Sequence, residues 1–427
     1  MNKIYYPTIK ETLYHEEMAN GLQVFLMPKE GFEKTYGLFS TRFGSIDTTF
    51  VPIGEQEMIT VPDGVAHFLE HKMFDMADGD ASDAFARLGA STNAFTSNSR
   101  TAYLFSTTKN EEACVNLLLD FVQELNVSQE SVEKEKGIIN QEIGMYDDNP
   151  DWRAYFGSIA NLYVKHPVKI DIAGTVETVA TIDREILYQC YRTFYHPSNM
   201  MLFVVGNIEP EKIMQTVREN QSRKSFEKMP TIKRGKVDEP LDVAKKKEVL
   251  AMDVTTSKLY IAMKVPPIEN QAKRTRRELL FYVLMDMLFS KSSALRQEWL
   301  ELGLINDTMS GNFTQERDYA YVQMGGDTNN VEELSHKIHE LIRNLPHQAF
   351  LEADFERIKK KNIGALIGFF NSPETIANLF SRFYFEGMIM MDLIDTFQSL
   401  KFEELQDILC LFDDERTTDF VITPLVK

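Results

Sequence analysis

The chain is 427 residues long, more than one hydrophobic core usually organises, so two domains are expected. Hydrophobic residues at 43% and charged residues at 26% describe a globular protein, and a net charge of −18 argues against nucleic-acid binding while weakly favouring neutral or basic substrates. The three cysteines are widely spaced, no apolar run is long enough to span a membrane, and Met1-Asn2-Lys3-Ile4-Tyr5-Tyr6-Pro7 has no signal-like apolar core, so a cytoplasmic protein without a disulfide framework or cysteine metal site is expected.

The first half opens with β-prone stretches near Leu22 to Met27 and Tyr36 to Arg42. Val61-Pro62-Asp63-Gly64 then offers start chemistry for a helix that carries His67-Phe68-Leu69-Glu70-His71. A short helix is expected around Ala81 to Leu88, then strands near Ser91 to Thr96 and Thr101 to Thr107. Helices at about Glu111 to Glu124, Ser128 to Tyr146, Trp152 to Tyr163 and Arg184 to Tyr195 follow, and a strand at Met200 to Gly206 closes the half. Gln221 to Lys247 is rich in Lys and Glu, contains Pro230 and Pro240 and shows little apolar periodicity. It reads as a linker between domains at 1–220 and 248–427.

The second half repeats part of the first. Phe95-Thr96 is followed after five residues by Ala102-Tyr103, and Phe313-Thr314 after five residues by Ala320-Tyr321. A period near two hundred residues points to duplicated domains rather than a solenoid. The helix expected at Tyr282 to Lys291 matches the first half's histidine helix but holds no histidine.

His67 to His71 reads H-x-x-E-H, a zinc-peptidase signature that inverts the commoner H-E-x-x-H. One helical turn separates the two histidines, which lets a single ion bridge both imidazoles. Glu70 lies on the same face, while Val65, Leu69 and Met73 point the other way and can be buried. The alternative is a chance pair of histidines on a solvated face. A catalytic zinc needs a third protein ligand. In the helix at Ser128 to Tyr146, Glu135 and Glu142 share a face with Ile138 and Ile139, and a carboxylate in line with isoleucines calls for a cation beside it. The alternative there is a solvated, charged helix with the isoleucines at its margin.

H-x-x-E-H followed some seventy residues later by E-K-x-x-I-x-x-E resembles the pitrilysin/insulysin family of inverted-motif zinc peptidases, in particular half-size bacterial members akin to processing peptidases. Asn20 to Val24 resembles that family's first strand and Asn93-Ala94-Phe95-Thr96 its substrate-binding edge strand. Ala173-Gly174-Thr175, Tyr195 to Met200 and Val204 to Asn207 resemble the closing elements of its first domain. The resemblance implies an α+β protein of two homologous α/β domains, each a mixed, mainly antiparallel sheet packed on helices, assembled as a clamshell dimer. It implies one Zn2+ held by His67, His71 and Glu142, Glu70 as general base, Glu135 as an outer-shell carboxylate, and peptide substrates bound along Asn93 to Thr96 by strand addition. The expected activity is endopeptidase cleavage of short unfolded peptides. The alternatives are a non-catalytic peptide-binding subunit and a metallohydrolase acting on other bonds.

One departure bears on partners. The family's second domain usually supplies an Arg and a Tyr that bind the substrate carbonyl. Here Arg296 suits the first position, but Leu304 or Asn306 stands at the second. Either Arg317 or Tyr321 substitutes, or a related subunit in a homo- or heterodimer supplies the pair. Elsewhere, His336 and His339 lie among Glu332, Glu333 and Glu340, where a solvated acidic helix is the simpler reading than a surface metal site. His166-Pro167 and His196-Pro197 read as turns that start elements. No phosphate-binding glycine loop or G-x-S-x-G elbow is present.

Overall fold

The computed structural model describes residues 1–77, 79–227 and 231–425. Alternating apolar stretches become two main sheets, one in each half of the chain. The first contains β1 (Asn2–Tyr6), β2 (Glu11–Glu17), β3 (Gln23–Pro28), β4 (Thr35–Thr41), β5 (Ser91–Thr96), β6 (Thr101–Thr107) and β7 (Met200–Gly206), in the order β1-β2-β3-β7-β4-β6-β5. The second contains β8 (Lys247–Met252), β9 (Ser257–Lys264), β10 (Ser310–Gln315), β11 (Ala320–Thr328) and β12 (Thr417–Pro424), in the order β8-β12-β9-β11-β10. In each sheet one pair is parallel, β3 with β7 and β8 with β12, and the other pairs are antiparallel. With the β1–β2 hairpin set aside, the two strand orders are the same. The halves are two copies of one sheet-plus-helix domain.

The repeated hairpin is β5–β6 in one half and β10–β11 in the other, but the sequence match is one residue out of register. Phe95 lies opposite Ala102, whereas Phe313 lies opposite Val322. The structural counterpart of Phe313 is therefore Ala94. A one-residue slip moves a side chain to the other face, so the matched phenylalanines point to opposite sides of their sheets.

The helices of the first half are α1 (Val65–Met73), α2 (Ala81–Leu88), α3 (Glu111–Val122), α4 (Gln129–Asp147), α5 (Pro150–Leu162), α6 (Arg184–Phe194) and α7 (Pro210–Ser222). Those that matter in the second are α8 (Gln271–Phe289), α9 (Ala294–Glu301), α10 (Val331–Asn344), α11 (Glu352–Phe369) and α12 (Pro373–Phe385). Strand alternation divides the first sheet between two cores. Val24, Leu26, Phe39, Tyr103 and Leu202 pack with α1, α3 and α6, while Phe25, Leu38, Ala102 and Phe203 face the second half.

That second face is covered by α12, whose Phe380 stacks on Phe203 with ring centroids 4.3 Å apart. In return, α5 from the first half covers the second sheet, packing Ala154 against Phe420 and Ile422. The approach is close: a Cβ on Gly157 would lie 2.3 Å from the Phe420 ring, so only glycine fits there. The halves thus exchange helices, and each sheet depends on the other half for one face. The segment between α7 and β8 is anchored by Glu239, which accepts the amides of Val164, Lys165 and His166 at 2.7–2.8 Å and Lys264 Nζ at 2.7 Å. Among the described residues no helix is long and apolar enough to cross a membrane.

Candidate metal centre

α1 begins at Val65 because the chain must turn sharply at Gly64, which has φ 87° and a neighbour, Ala173 O, 2.5 Å from where a Cβ would be. Val65, Phe68, Leu69 and Met73 enter the first-half core. His67 and Glu70 are also buried, each 8% exposed, because they lie under α4 and β5 rather than against water.

The three expected ligands converge. Glu142 Oε2 lies 3.7 Å from His67 Nε2 and 3.6 Å from His71 Nε2. Donors about 2.0–2.1 Å from one tetrahedral ion are about 3.4 Å from each other, so closure by a few tenths of an ångström suffices. Two imidazoles and one carboxylate are three protein donors, the number that suits catalytic zinc. Among the described residues no other trio of His, Cys, Asp and Glu donors converges in this way.

Each ligand is oriented from behind. His71 Nδ1 donates to Glu135 Oε1 at 3.0 Å, which leaves the Nε2 lone pair facing Glu142 and His67. Lys72, buried beside the site, donates to Glu135 Oε2 at 3.4 Å. Burial opposes the charge on Glu135, but the bonds from His71 and Lys72 outweigh it and hold its pKa below the ordinary value. Burial and then the neighbouring His71 push the His67 pKa down to about 4, so it is a neutral imidazole at neutral pH. Tyr146, one turn beyond Glu142, donates its hydroxyl to Glu142 Oε1 and leaves Oε2 facing the two imidazoles. Tyr146 is braced by Trp152, stacked at 4.4 Å, whose indole N–H donates to Asp171.

Glu70 does not join the ligand trio. Its Oε2 accepts a hydrogen bond from Thr96 Oγ1 at 2.5 Å, which ties the acid on α1 to the end of β5. Burial raises the Glu70 pKa, moderated by that bond. β5 is the last strand of its sheet and pairs only with β6, so its other edge is open. Asn93 is exposed, Ala94 and Thr96 face the α1 side, and Phe95 faces the second half, where the Arg100 guanidinium lies 5.4 Å from its ring centre.

The insulinase (peptidase family M16) model matches residues 55–176, and the peptidase M16 inactive domain model matches 181–362. The chain is 47% identical over 407 residues, 95% of each protein, to YmfH of Bacillus subtilis, described as an uncharacterized zinc protease. The chain belongs to peptidase family M16. Its structure also matches that of an M16-like peptidase from Alicyclobacillus acidocaldarius, with TM-score 0.93 and 34% identity over 97% of this chain and 99% of that one. A protease from Helicobacter pylori shares the fold, with TM-score 0.82 and 20% identity over 96% of this chain and 99% of that one. His67, His71 and Glu142 all fall in the stretch matching the M16 model, and none in the stretch matching the inactive domain.

Several expectations for this M16 chain need correction. Ile138 does not share the buried face of α4: it is 45% exposed, whereas Ile139 is fully buried. Arg296 is buried, and its guanidinium is taken up by the carbonyls of Met309 (2.9 Å), Phe289 and Asn306 (both 3.4 Å), so it is not available to a substrate. Leu304 is buried in the second core, while Asn306 is exposed. Arg317 is held by Asp47 at 2.7 Å, and the Tyr321 hydroxyl lies 2.9 Å from that of Tyr155. His339 is not on a solvated acidic face. Both its ring nitrogens meet carboxylates, Asp414 at 2.5 Å and Asp419 at 2.9 Å, whereas His336 is exposed with Glu332, Glu333 and Glu340, as a solvated acidic helix requires. The two His-Pro turns do start elements: His166 Nδ1 accepts the Val168 amide at 3.1 Å and His196 Nδ1 the Ser198 amide at 3.2 Å.

Tyr146, Lys72, Trp152 and Asp171 were not marked by the sequence reading. Tyr146 had a signal, because residues four apart on one helix are neighbours and Glu142 is four before it. Trp152 and Asp171 had none.

Proposed function

We propose that this M16 protein is a zinc-dependent endopeptidase acting on short, unfolded peptides, with residues 1–220 as its catalytic domain. The observation that carries this reading is the convergence of His67, His71 and Glu142 beside a fourth ionisable group, Glu70, that is itself bonded to an open strand edge. His67, His71 and Glu142 would hold a zinc ion, which would supply Lewis-acid polarisation and a water whose pKa is lowered toward about 7. Glu70 takes the proton of the attacking water and passes it to the leaving amine; its raised pKa suits both steps. The free edge of β5 aligns an extended peptide by main-chain hydrogen bonds, and Thr96 couples that strand to the base. Folded proteins are poor substrates, because strand addition needs an unpaired backbone.

A second subunit completes the reading. Arg296, Arg317 and Tyr321 are each engaged within the chain, so none is left to bind the substrate carbonyl. A missing oxyanion donor costs on the order of 10²–10³ in rate. We therefore infer a homo- or heterodimer in which a related M16 chain donates an Arg and a Tyr.

The test is cleavage of quenched fluorogenic peptides by zinc-loaded and chelator-stripped protein, alone and mixed with a related M16 subunit from the same organism. Zinc-dependent cleavage that is strongest in the mixture supports both parts. Full activity of the chain as a monomer removes the partner, and stoichiometric zinc without cleavage in any mixture favours a non-catalytic peptide-binding subunit.

A further inference from the structure

A cluster of arginines lies between the two halves and takes no part in the metal centre. Arg42 follows β4, Arg234 lies in the segment between α7 and β8, and Arg317 lies in the β10–β11 loop. They surround one buried carboxylate. Asp47 Oδ1 accepts from Arg234 Nε and from Arg317 Nη2, each at 2.7 Å, and Oδ2 accepts the Gly44 amide at 3.0 Å. Arg317 also reaches Asp318, 3.5 Å away. Arg42 is left over: among the described residues no carboxylate lies within ion-pair distance of it and its guanidinium donates no hydrogen bond. Burial, then Arg234 and Arg317, lower its pKa.

The other acids nearby do not compensate. Burial and then Glu386 raise the Glu316 pKa, against Arg382 and a hydrogen bond from Ser99, so its negative charge is disfavoured. Glu386 is engaged by Arg274 Nε at 3.0 Å. Glu269 stands at the rim, 92% exposed, beside Lys236. A half-buried cation crowded by two others is unfavourable unless something neutralises it. This positive excess is found in a chain of net charge −18, so it does not follow from average composition.

Arg42, Arg274 and Arg317 line a cavity of about 530 Å³, with the Ser198–Asn199 turn on one side and the first turn of α8 on the other. The first turn of that 19-residue helix lines the same space through Gln271 and Arg274, and the N-terminal end of a helix carries partial positive charge. We propose that this cavity binds an oxyanion, a carboxylate or phosphate group, held mainly by Arg42, with Arg317 and Arg274, each already paired to a carboxylate, lining the space beside it. The guanidinium fork matches both groups with paired N–H donors. Arg42 comes from the first half and Arg317 and Arg274 from the second, so the anion sits where the two halves meet. Thr41, next to Arg42, pairs with Thr101, which pairs with Thr96. The site is therefore about two strand spacings, roughly 10 Å, from the open edge of β5.

The test is thermal melting of the full chain in low-salt buffer, titrated with inorganic phosphate, a short peptide with a free carboxyl terminus, and its C-terminally amidated twin, against chloride at matched ionic strength. Wild type, Arg42→Gln and a surface control, Lys212→Gln, are compared. Wild type and the control should gain melting temperature saturably. In Arg42→Gln the apparent affinity should fall by at least about tenfold, the loss expected for one charge-assisted pair. Without ligand, Arg42→Gln should melt at or above wild type, because it removes a repelled cation. Stabilisation by the free but not the amidated peptide assigns a peptide carboxylate, and stabilisation by phosphate alone assigns phosphate. The proposal is overturned if none of the three stabilises wild type beyond chloride, or if Arg42→Gln binds as well as wild type. No readout involves peptide cleavage, so the outcome is independent of the peptidase reading.

Discussion

Replacing Glu135 by Gln isolates what the outer carboxylate does for the metal centre. The substitution keeps the shape and a carbonyl oxygen that can still accept from His71 Nδ1, now 3.0 Å from Glu135 Oε1, but removes the charge. A hydrogen bond to a charged group contributes about 1.5–3 kcal/mol and a neutral one about 0.5–1.5 kcal/mol, so the loss is about 1–1.5 kcal/mol. That is about tenfold in zinc affinity, and losing a negative charge near a divalent ion extends the range toward 100-fold. Lys72 keeps Asp75 as a partner, so the fold should survive. The assay is competition between apo-protein and a chelator of known affinity, with circular dichroism to check folding. A zinc affinity within about twofold of wild type, in a folded variant, would refute the claim that Glu135 orients and charges His71.

Other predictions follow from individual contacts. Thr96→Val removes the hydroxyl that lowers the Glu70 pKa, so the acidic limb of the pH–kcat/KM profile should move to higher pH. Tyr146→Phe frees Glu142 Oε1 to swing, and should weaken zinc binding by about 10–100-fold in a chelator competition. Gly157→Ala gains up to about 1 kcal/mol of helix propensity. It also places a methyl 2.3 Å from the Phe420 ring, and overpacking of about 1–3 kcal/mol should win, seen as a lower melting temperature. His339 has a pKa raised by its bond to Asp419, against burial, and then by Asp414. Because the folded value lies above the unfolded one, this group's stabilisation is complete below about pH 6.5 and is lost as pH rises through the folded value. The melting-temperature gap between wild type and His339→Gln should therefore shrink on going from acid to alkaline pH.

The convergence of His67, His71 and Glu142 was legible in the sequence because candidate metal ligands fall at helical spacings. His67, Glu70 and His71 stand on a 9-residue helix and Glu135 and Glu142 on a 19-residue one, whose apolar faces set their orientation. The β5–β6 strands were legible by alternation, with the same bounds as expected. What failed depended on long-range packing. α8 starts at Gln271, eleven residues before the expected Tyr282, because Arg274, Arg277 and Glu278 are buried by pairing and break the apolar period. β1 is exposed at four of its five residues and β2 is mostly half-buried, so the hairpin lacks a clean alternation. α7 did carry a readable signal, Pro210 at its start and Ile213, Met214 and Val217 on one face, but lay beside a polar stretch read as linker. The helix exchange through α5 and α12 has no local signature.

The most direct test of the central claim is peptide cleavage by Glu70→Gln beside wild type, both zinc-loaded, metal-analysed and paired with the same partner chain. The base assignment predicts equal zinc content and a fall in kcat of at least about 10²-fold, the usual worth of a positioned acid–base group. Equal zinc with cleavage within about twofold of wild type would contradict it, and would mean that some other group moves the proton.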